Sequence, residues 1–556
     1  MTSERAVAPR VGRLIAAAAS GALLAAARPP LDIGLLACVA LVPLFVAWRD
    51  RAPREAAGYA FVTGAVYHGV TVFWVWHLSV VAFVALVVAL AGYWAAAGAL
   101  VAWLRGRNIA SPWLTAAVWV CADAVAARVP FGGLSWDEIG YAFHDFAPAR
   151  AVASVGGLTL VTFLAVALNG LLADAAVWFT RRDRDRDRVF AFSGAALAGA
   201  GLALVLAVTT LSTVTRAEPT PTGRLHVAVL QGNDKNRDLT DGEARAEYLQ
   251  QSHLRLAGRV DDHVDLIVFP ESSMNDEADP RYQVAHDTRL AAVAKQHRAW
   301  VLANATVTAP DRAHNLNQNV LFRPDGTVAG TYDKRHLVPY GEYVWGRSLV
   351  EAIVPSIRDQ VPLDFAPGKR PAFFDVAGHE LTTVICFESA FGYQVRPLVH
   401  HGAQVIVVST NNRSYERSAN SAQHLAIGQM RAAETGRPVV QAAISGISAF
   451  IDADGVVHGR TRLFDRTVLK QTVTTTSGQT PYVRYGEWML WASTMAVAAC
   501  VLLALTRRRP GDRRAVRPQD IGSVDSRPAG GEASQESTRR ATRANSPGLT
   551  SSGDRA

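Results

Sequence analysis

Residues 384–392 read VICFESAFG. An apolar, β-branched run stops at Cys386, and Glu388 follows two positions later. A short run of this kind, bounded by polar residues, is a buried strand, so the thiol stands at a strand tip. Working outward, LHVAVLQGN (225–233), VDLIVFPESS (264–273), AWVLANATV (299–307) and AQVIVVSTNN (403–412) have the same character. Helical patterns fall between them at about 242–259, 285–298 and 420–436. Pro324-Asp325-Gly326 and Asp454-Gly455 mark the turns of two hairpins, at 319–339 and 438–461. Strands alternating with helices, with added antiparallel hairpins, make an α/β layered sandwich.

The rest of the chain has a different solvent. Of 556 residues 49% are hydrophobic, yet 19% are charged, which points to a membrane part joined to a polar part. Apolar stretches long enough to cross a bilayer lie at roughly 12–28, 31–48, 56–78, 80–104, 111–128, 152–178, 190–213 and 487–506. Eight transmembrane helices are therefore expected. With the N-terminus inside, the loops that fall on the cytoplasmic side are 49–55, 105–110, 179–189 and the segment after 506. These hold the arginine clusters Arg49, Arg51 and Arg54; Arg105 and Arg107; Arg181 to Arg188; and Arg507 to Arg514. That is the positive-inside pattern, and it accounts for the net charge of +8 without nucleic acid. The expected domains are 1–213 with seven membrane helices, 214–486 facing outward, 487–506 as the eighth helix, and 507–556 as a disordered cytoplasmic tail. A cleaved signal peptide ending near Ala25-Ala26-Ala27 is the weaker alternative for the first span, because it leaves an odd number of crossings.

Four cysteines occur, Cys38, Cys121, Cys386 and Cys500, with no C-x-x-C pair, so neither a disulfide framework nor a cysteine zinc site is expected. Cys38, Cys121 and Cys500 fall in expected spans and read as small apolar filler. Cys386 is the one in the outward part. Two more strand ends carry chemistry. Glu271 closes LIVFPE, and Lys334 closes TYDK. Only five lysines occur in the chain, so arginine supplies most of its cations. A thiolate nucleophile, a carboxylate base and an ammonium for an oxyanion form a coherent catalytic set. Each residue alone has a plainer role, as core filler, helix cap or surface charge, and spacing along the chain does not show that they meet.

PES (270–272), YDKRHLVPYGEYV (332–344), ICFES (385–389) and STNNRSYERSANSAQHLAIGQMRAAETGRPVV (409–440) together resemble the nitrilase, or carbon-nitrogen hydrolase, superfamily. With the membrane spans, the chain is similar to that superfamily's membrane-embedded branch, the apolipoprotein N-acyltransferase family. The resemblance implies an αββα nitrilase-like sandwich. It implies Glu271 as general base, Lys334 as oxyanion stabiliser and Cys386 as nucleophile. Glu342 matches a second family glutamate near the triad, and Glu388 the acid two after the nucleophile. Phe387 stands where the family often has tyrosine, and no tryptophan follows LQGN closely.

The implied reaction moves an acyl chain from a phospholipid to Cys386 as a thioester. The chain then passes to the N-terminal α-amine of an apolipoprotein's diacylglyceryl-cysteine. The resemblance implies no cofactor and no metal, a monomer, and a place in the bacterial plasma (inner) membrane. The alternatives are a membrane-tethered carbon-nitrogen amidase or nitrilase, and a non-catalytic scaffold for a polyprenol-phosphate glycosyltransferase. The apolar series Trp345, Leu349, Val350, Ile353 and Val354 reads either as a mobile arm that meets acyl chains or as a core-packing helix. The absence of G-x-S-x-G and H-E-x-x-H sets aside a serine hydrolase and a metalloprotease of those types.

Overall fold

The computed structural model describes residues 4–181, 188–214, 219–234, 242–260, 263–274 and 287–507. The expected disordered tail, beyond Arg507, lies outside the described residues, as do 182–187 of the third arginine cluster.

The first part of the chain is helical: α1 (Glu4–Ala26), α2 (Val42–Ala47), α3 (Pro53–Thr71), α4 (Val80–Arg105), α5 (Pro112–Ala126), α6 (Ala147–Arg181) and α7 (Arg188–Val214). Ser79 and Ser111 cap α4 and α5, each accepting from a backbone N–H of the first turn. Among the described residues three helices are long and apolar enough to cross a membrane: Val80–Arg105, Ala147–Phe179 and the late helix at Trp488–Thr506. The expected span at 31–48 is not one helix. It is a 3-10 turn at Gly34–Cys38 followed by the six-residue α2. Pro29 and Pro30 stand before the turn and Pro43 opens α2, and a proline ring has no N–H to continue a helix through it. Within α6, Gly156 and Gly157 depart from helical geometry, with φ of +70° at Gly157, and the helix kinks there.

The α/β part holds β1 (Thr220–Gln231), α8 (Gly242–Ala257), β2 (Leu266–Val268), α9 (Thr288–His297), β3 (Trp300–Thr308), β4 (Asn315–Phe322) and β5 (Val328–Asp333). Next come α10 (Arg347–Ile353), α11 (Ile357–Gln360), β6 (Phe373–Val376), β7 (His379–Ile385), α12 (Gly392–His400), β8 (Val405–Thr410) and α13 (Asn420–Thr435). It closes with β9 (Val439–Ala443), β10 (Ala449–Ile451), β11 (Val457–Arg460), β12 (Thr467–Ser477), α14 (Pro481–Tyr485) and the apolar α15 (Trp488–Thr506).

Two six-stranded sheets form, in the orders β12-β1-β2-β3-β4-β5 and β11-β10-β9-β8-β7-β6. Alternation along the strands builds the layers. Leu225, Val227 and Val229 of β1 meet Val405 and Val407 of β8 between the sheets. Ala228 and Leu230 turn outward to α8 and α9, and Val384, Ile406 and Val408 turn outward to α12 and α13. The result is the expected four-layer sandwich. Both expected hairpins are present, as β4–β5 and β10–β11. In each sheet the central strands are parallel, β1-β2-β3 and β7-β8-β9. Their carboxyl ends are where such sheets place functional groups.

Every residue of α13 except Ala422 is buried, because the helix lies between the second sheet and the membrane helices. Its Gln423 accepts from the indole N–H of Trp74 (3.2 Å) and of Trp136 (2.8 Å), and donates to the carbonyls of Thr71 (2.9 Å) and Pro29 (3.4 Å). One amide thus joins three separate stretches of the membrane part to the sandwich.

Candidate active site

Glu271 lies in the turn after β2, Lys334 directly after β5 and Cys386 directly after β7. The two-sheet packing brings these ends together. Lys334, 1% exposed, places Nζ 3.2 Å from Oε1 of Glu271 and 2.9 Å from Oε1 of Glu342. Burial alone would push the ammonium down. Glu271 and Glu342 more than reverse this and hold its pKa well above the ordinary lysine value, so it is a permanent cation.

Cys386 has φ of +53°, the left-handed region that side chains rarely adopt. Its strand turns there into a 3-10 segment, Cys386–Ala390. Glu388 holds that strained turn. Its carboxylate accepts from the backbone N–H of Ile385 (2.8 Å), Arg335 (2.7 Å) and His336 (3.0 Å), and from the hydroxyl of Tyr332 (2.8 and 2.9 Å). Four donors from two segments converge on one acid. Glu388 therefore fixes the nucleophile turn against the Lys334 loop.

Around the sulfur, burial pushes the thiol pKa up and the Glu271 carboxylate adds to it. Lys334, the Thr410 hydroxyl and the Asn411 backbone N–H pull the other way, and the net value is about 12. The resting thiol is protonated and needs a base at the moment of attack. Glu271 is placed for this, since the Asn411 N–H that faces the sulfur also donates to Glu271 Oε2 at 2.8 Å.

Of the three supporting residues expected from the sequence, Glu342 joins the charged cluster and Glu388 braces the turn. Phe387 does neither. Its ring packs on Trp136 (6.3 Å between centroids) and on Phe391 (4.9 Å), within the apolar cluster of the membrane helices.

Sequence reasoning missed Asn317, which donates to Oε1 of both Glu271 (2.7 Å) and Glu342 (2.9 Å). Asn304 in turn donates to Asn317 Oδ1 (2.8 Å) and Asn319 Oδ1 (2.9 Å). The available signal was the alternation Asn315, Asn317, Asn319 along one strand, a polar face in a strand otherwise built for a core. Thr410 and Asn411 were also missed, although β8 is the parallel neighbour of the cysteine strand.

The apolar series after Glu342 is not core. Trp345, Leu349 and Ile353 are 61%, 66% and 63% exposed, and α10 has no buried residue. Trp345 leans on Phe131 of the α5–α6 connection, with ring centroids 5.2 Å apart.

Comparison with known proteins places both halves. Residues 20–171 match the family model for the apolipoprotein N-acyltransferase N-terminal domain, and residues 226–482 that for carbon-nitrogen hydrolase. An apolipoprotein N-acyltransferase of Geobacter metallireducens is 30% identical over 515 residues, covering 88% of this chain and 94% of the relative. That of Methylococcus capsulatus is 30% identical over 499 residues, covering 85% and 93%. That of Vibrio vulnificus is 28% identical over 527 residues, covering 90% and 98%. Among solved structures, an amidase from Nesterenkonia sp. matches 50% of this chain and all of its own (100%) at 15% identity, with a TM-score of 0.33.

Proposed function

The chain belongs to the apolipoprotein N-acyltransferase family, and from that premise we propose that it N-acylates the diacylglyceryl-cysteine of apolipoproteins through a thioester on Cys386. The observation that carries the mechanism is the buried set of Glu271, Lys334 and Cys386 at the carboxyl ends of facing sheets. Cys386 Sγ attacks the ester carbonyl of a phospholipid acyl chain while its proton passes to Glu271. Lys334 has three N–H groups, of which two are given to Glu271 and Glu342, and the third serves the oxyanion. On collapse the glycerol oxygen leaves and takes the proton from Glu271, releasing a lysophospholipid. The α-amine of the acceptor then attacks the thioester and gives a proton to Glu271. The C–S bond breaks, and the sulfur recovers that proton. Because the two half-reactions share one covalent intermediate, the kinetics are ping-pong.

Glu342 keeps Lys334 charged and in place, and Glu388 sets the cysteine turn. Both substrates are lipid-anchored, which is why the site belongs on the outer face of the inner membrane. The positive-inside arginines support that orientation, with eight crossings, the second made by the Gly34–Cys38 turn and α2 together, 214–486 outside and 507–556 in the cytoplasm. Exposed Trp345, Leu349 and Ile353 support an apolar arm that meets acyl chains beside the site. One chain supplies all the catalytic groups, which supports a monomer as the working unit. The test is mass spectrometry of the purified protein with phospholipid. An acyl adduct is expected on Cys386 and not in Cys386→Ala. Lipoprotein acylation that persists in Cys386→Ala overturns the proposal.

A further inference from the structure

The nucleophile has a side-chain neighbour on its own sheet that the triad does not include. Thr410 ends β8, one step past the pairing of Ile385 with Ser409, and is fully buried. Its Oγ1 lies 3.3 Å from Cys386 Sγ, 3.2 Å from Asn412 Oδ1 and 3.3 Å from His424 Nδ1. One hydroxyl hydrogen thus has three acceptors within reach.

The surrounding bonds remove one of them. Asn412 Nδ2 can only donate, and it faces Asn420 Oδ1 at 2.7 Å and His424 Nδ1 at 3.2 Å. It therefore occupies the single lone pair of Nδ1. The proton of a neutral His424 then sits on Nε2, which donates to Ser389 Oγ at 2.8 Å. Ser389 donates onward to the Cys386 carbonyl at 2.9 Å. Burial keeps His424 neutral, with its pKa pushed down to about 4. What remains for the Thr410 hydrogen is a choice between the Asn412 amide oxygen and the sulfur.

We propose that Thr410 is a further catalytic residue, whose hydroxyl turns from Asn412 to the Cys386 sulfur when that sulfur becomes anionic, with His424 as a positioning residue that orients the Asn412 amide. A neutral thiol or a thioester sulfur is a poor acceptor, so in those states the hydrogen stays on the amide oxygen. An anionic sulfur makes a charge-assisted bond that outcompetes the amide. The donor thus favours thiolate over thiol, both at the first attack and when the thioester breaks. The device is neutral, and it leaves Glu271 and Lys334 free for proton transfer and the oxyanion.

This inference rests on the acyl-transfer reading only for its kinetic consequence. The sulfur itself is probed without any acyl substrate. The full-length protein in detergent is alkylated with iodoacetamide, and the Cys386 peptide is followed by mass spectrometry. Thr410→Val removes the hydroxyl at nearly constant shape. It is expected to slow alkylation at pH 8 by about tenfold, one pKa unit, as loss of a charge-assisted bond does. Thr410→Ser is expected to keep the wild-type rate. His424→Gln should slow alkylation less than Thr410→Val, and the double variant should be no slower than Thr410→Val alone, because His424 acts on the sulfur by way of Asn412 and Thr410. In turnover, Thr410→Val should lower kcat and leave KM for phospholipid unchanged. Thr410→Ala is a second variant in case valine disturbs the strand. A wild-type alkylation rate in whichever of the two keeps the native melting curve overturns the proposal. If Cys386→Ala still acylates lipoproteins while Thr410→Val slows alkylation, the proposed function fails and this inference stands.

Discussion

The two sheets equip the site in opposite ways. The first contributes charge: Glu271 and Lys334, joined by Glu342 and wired together by Asn304 and Asn317. The second contributes a thiol surrounded by neutral groups, Thr410, Ser389 and a histidine kept uncharged by burial. Charges among themselves compensate one another, whereas an isolated charge beside the sulfur would cost several kcal/mol to bury. Keeping them on the facing sheet lets the sulfur stay protonated at rest and still have a base within reach.

Four measurements test this division, the largest first. Lys334→Met leaves Glu271 and Glu342 as buried acids without their cation. It should abolish the acyl adduct and cost about 3–5 kcal/mol in chemical unfolding, as breaking one side of a buried ion pair does. Adding Glu342→Gln should return part of the stability and none of the activity.

The neutral side answers to acid. His424 has a pKa near 4 in the fold against 6.5 as its ordinary value. The unfolded chain therefore takes up a proton that the native one refuses. Stability is full above pH 6.5 and falls as the pH drops from 6.5 toward 4, by up to about 3 kcal/mol for this group. Melting curves across that range should show the slope, and His424→Gln should make it shallower, with His253 and His336, also pushed down to about 4 by burial, keeping their share.

Glu388→Gln cuts the tie between the two sides. An amide in place of the carboxylate weakens four donated bonds and should cost about 2 kcal/mol. Turnover should fall further than stability, because the Cys386 turn and the Lys334 loop lose their common anchor. Smallest in stability is Trp345→Ser with Leu349→Ser. These side chains are already exposed, so unfolding should change by less than about 0.5 kcal/mol while turnover of lipid substrate falls. Unchanged turnover would remove the acyl-chain arm.

How much of this was legible follows from where the information sits. The strands came through because each is a short apolar run with a polar end, and Glu271, Lys334 and Cys386 were visible as those ends. Asn317 was not, because an asparagine between Leu316 and Gln318 looks the same whether it faces water or a carboxylate. Thr410 and His424 lie inside the sequence stretch that carried the family resemblance, but their function depends on a neighbouring strand rather than on spacing. The segment at 31–48 was apolar enough for a membrane helix, and hydropathy does not weigh the prolines that break it. Gln423 was invisible, since its partners lie 287 to 394 residues away along the chain.

That last residue bears on how the enzyme is made. The groups that receive Gln423, and Trp136 on which Phe387 rests, all precede residue 137. A ribosome completes them well before it reaches Cys386. The cradle for the cysteine turn is thus synthesised before the turn exists, and a catalytic half expressed alone would emerge with its α13 seat missing.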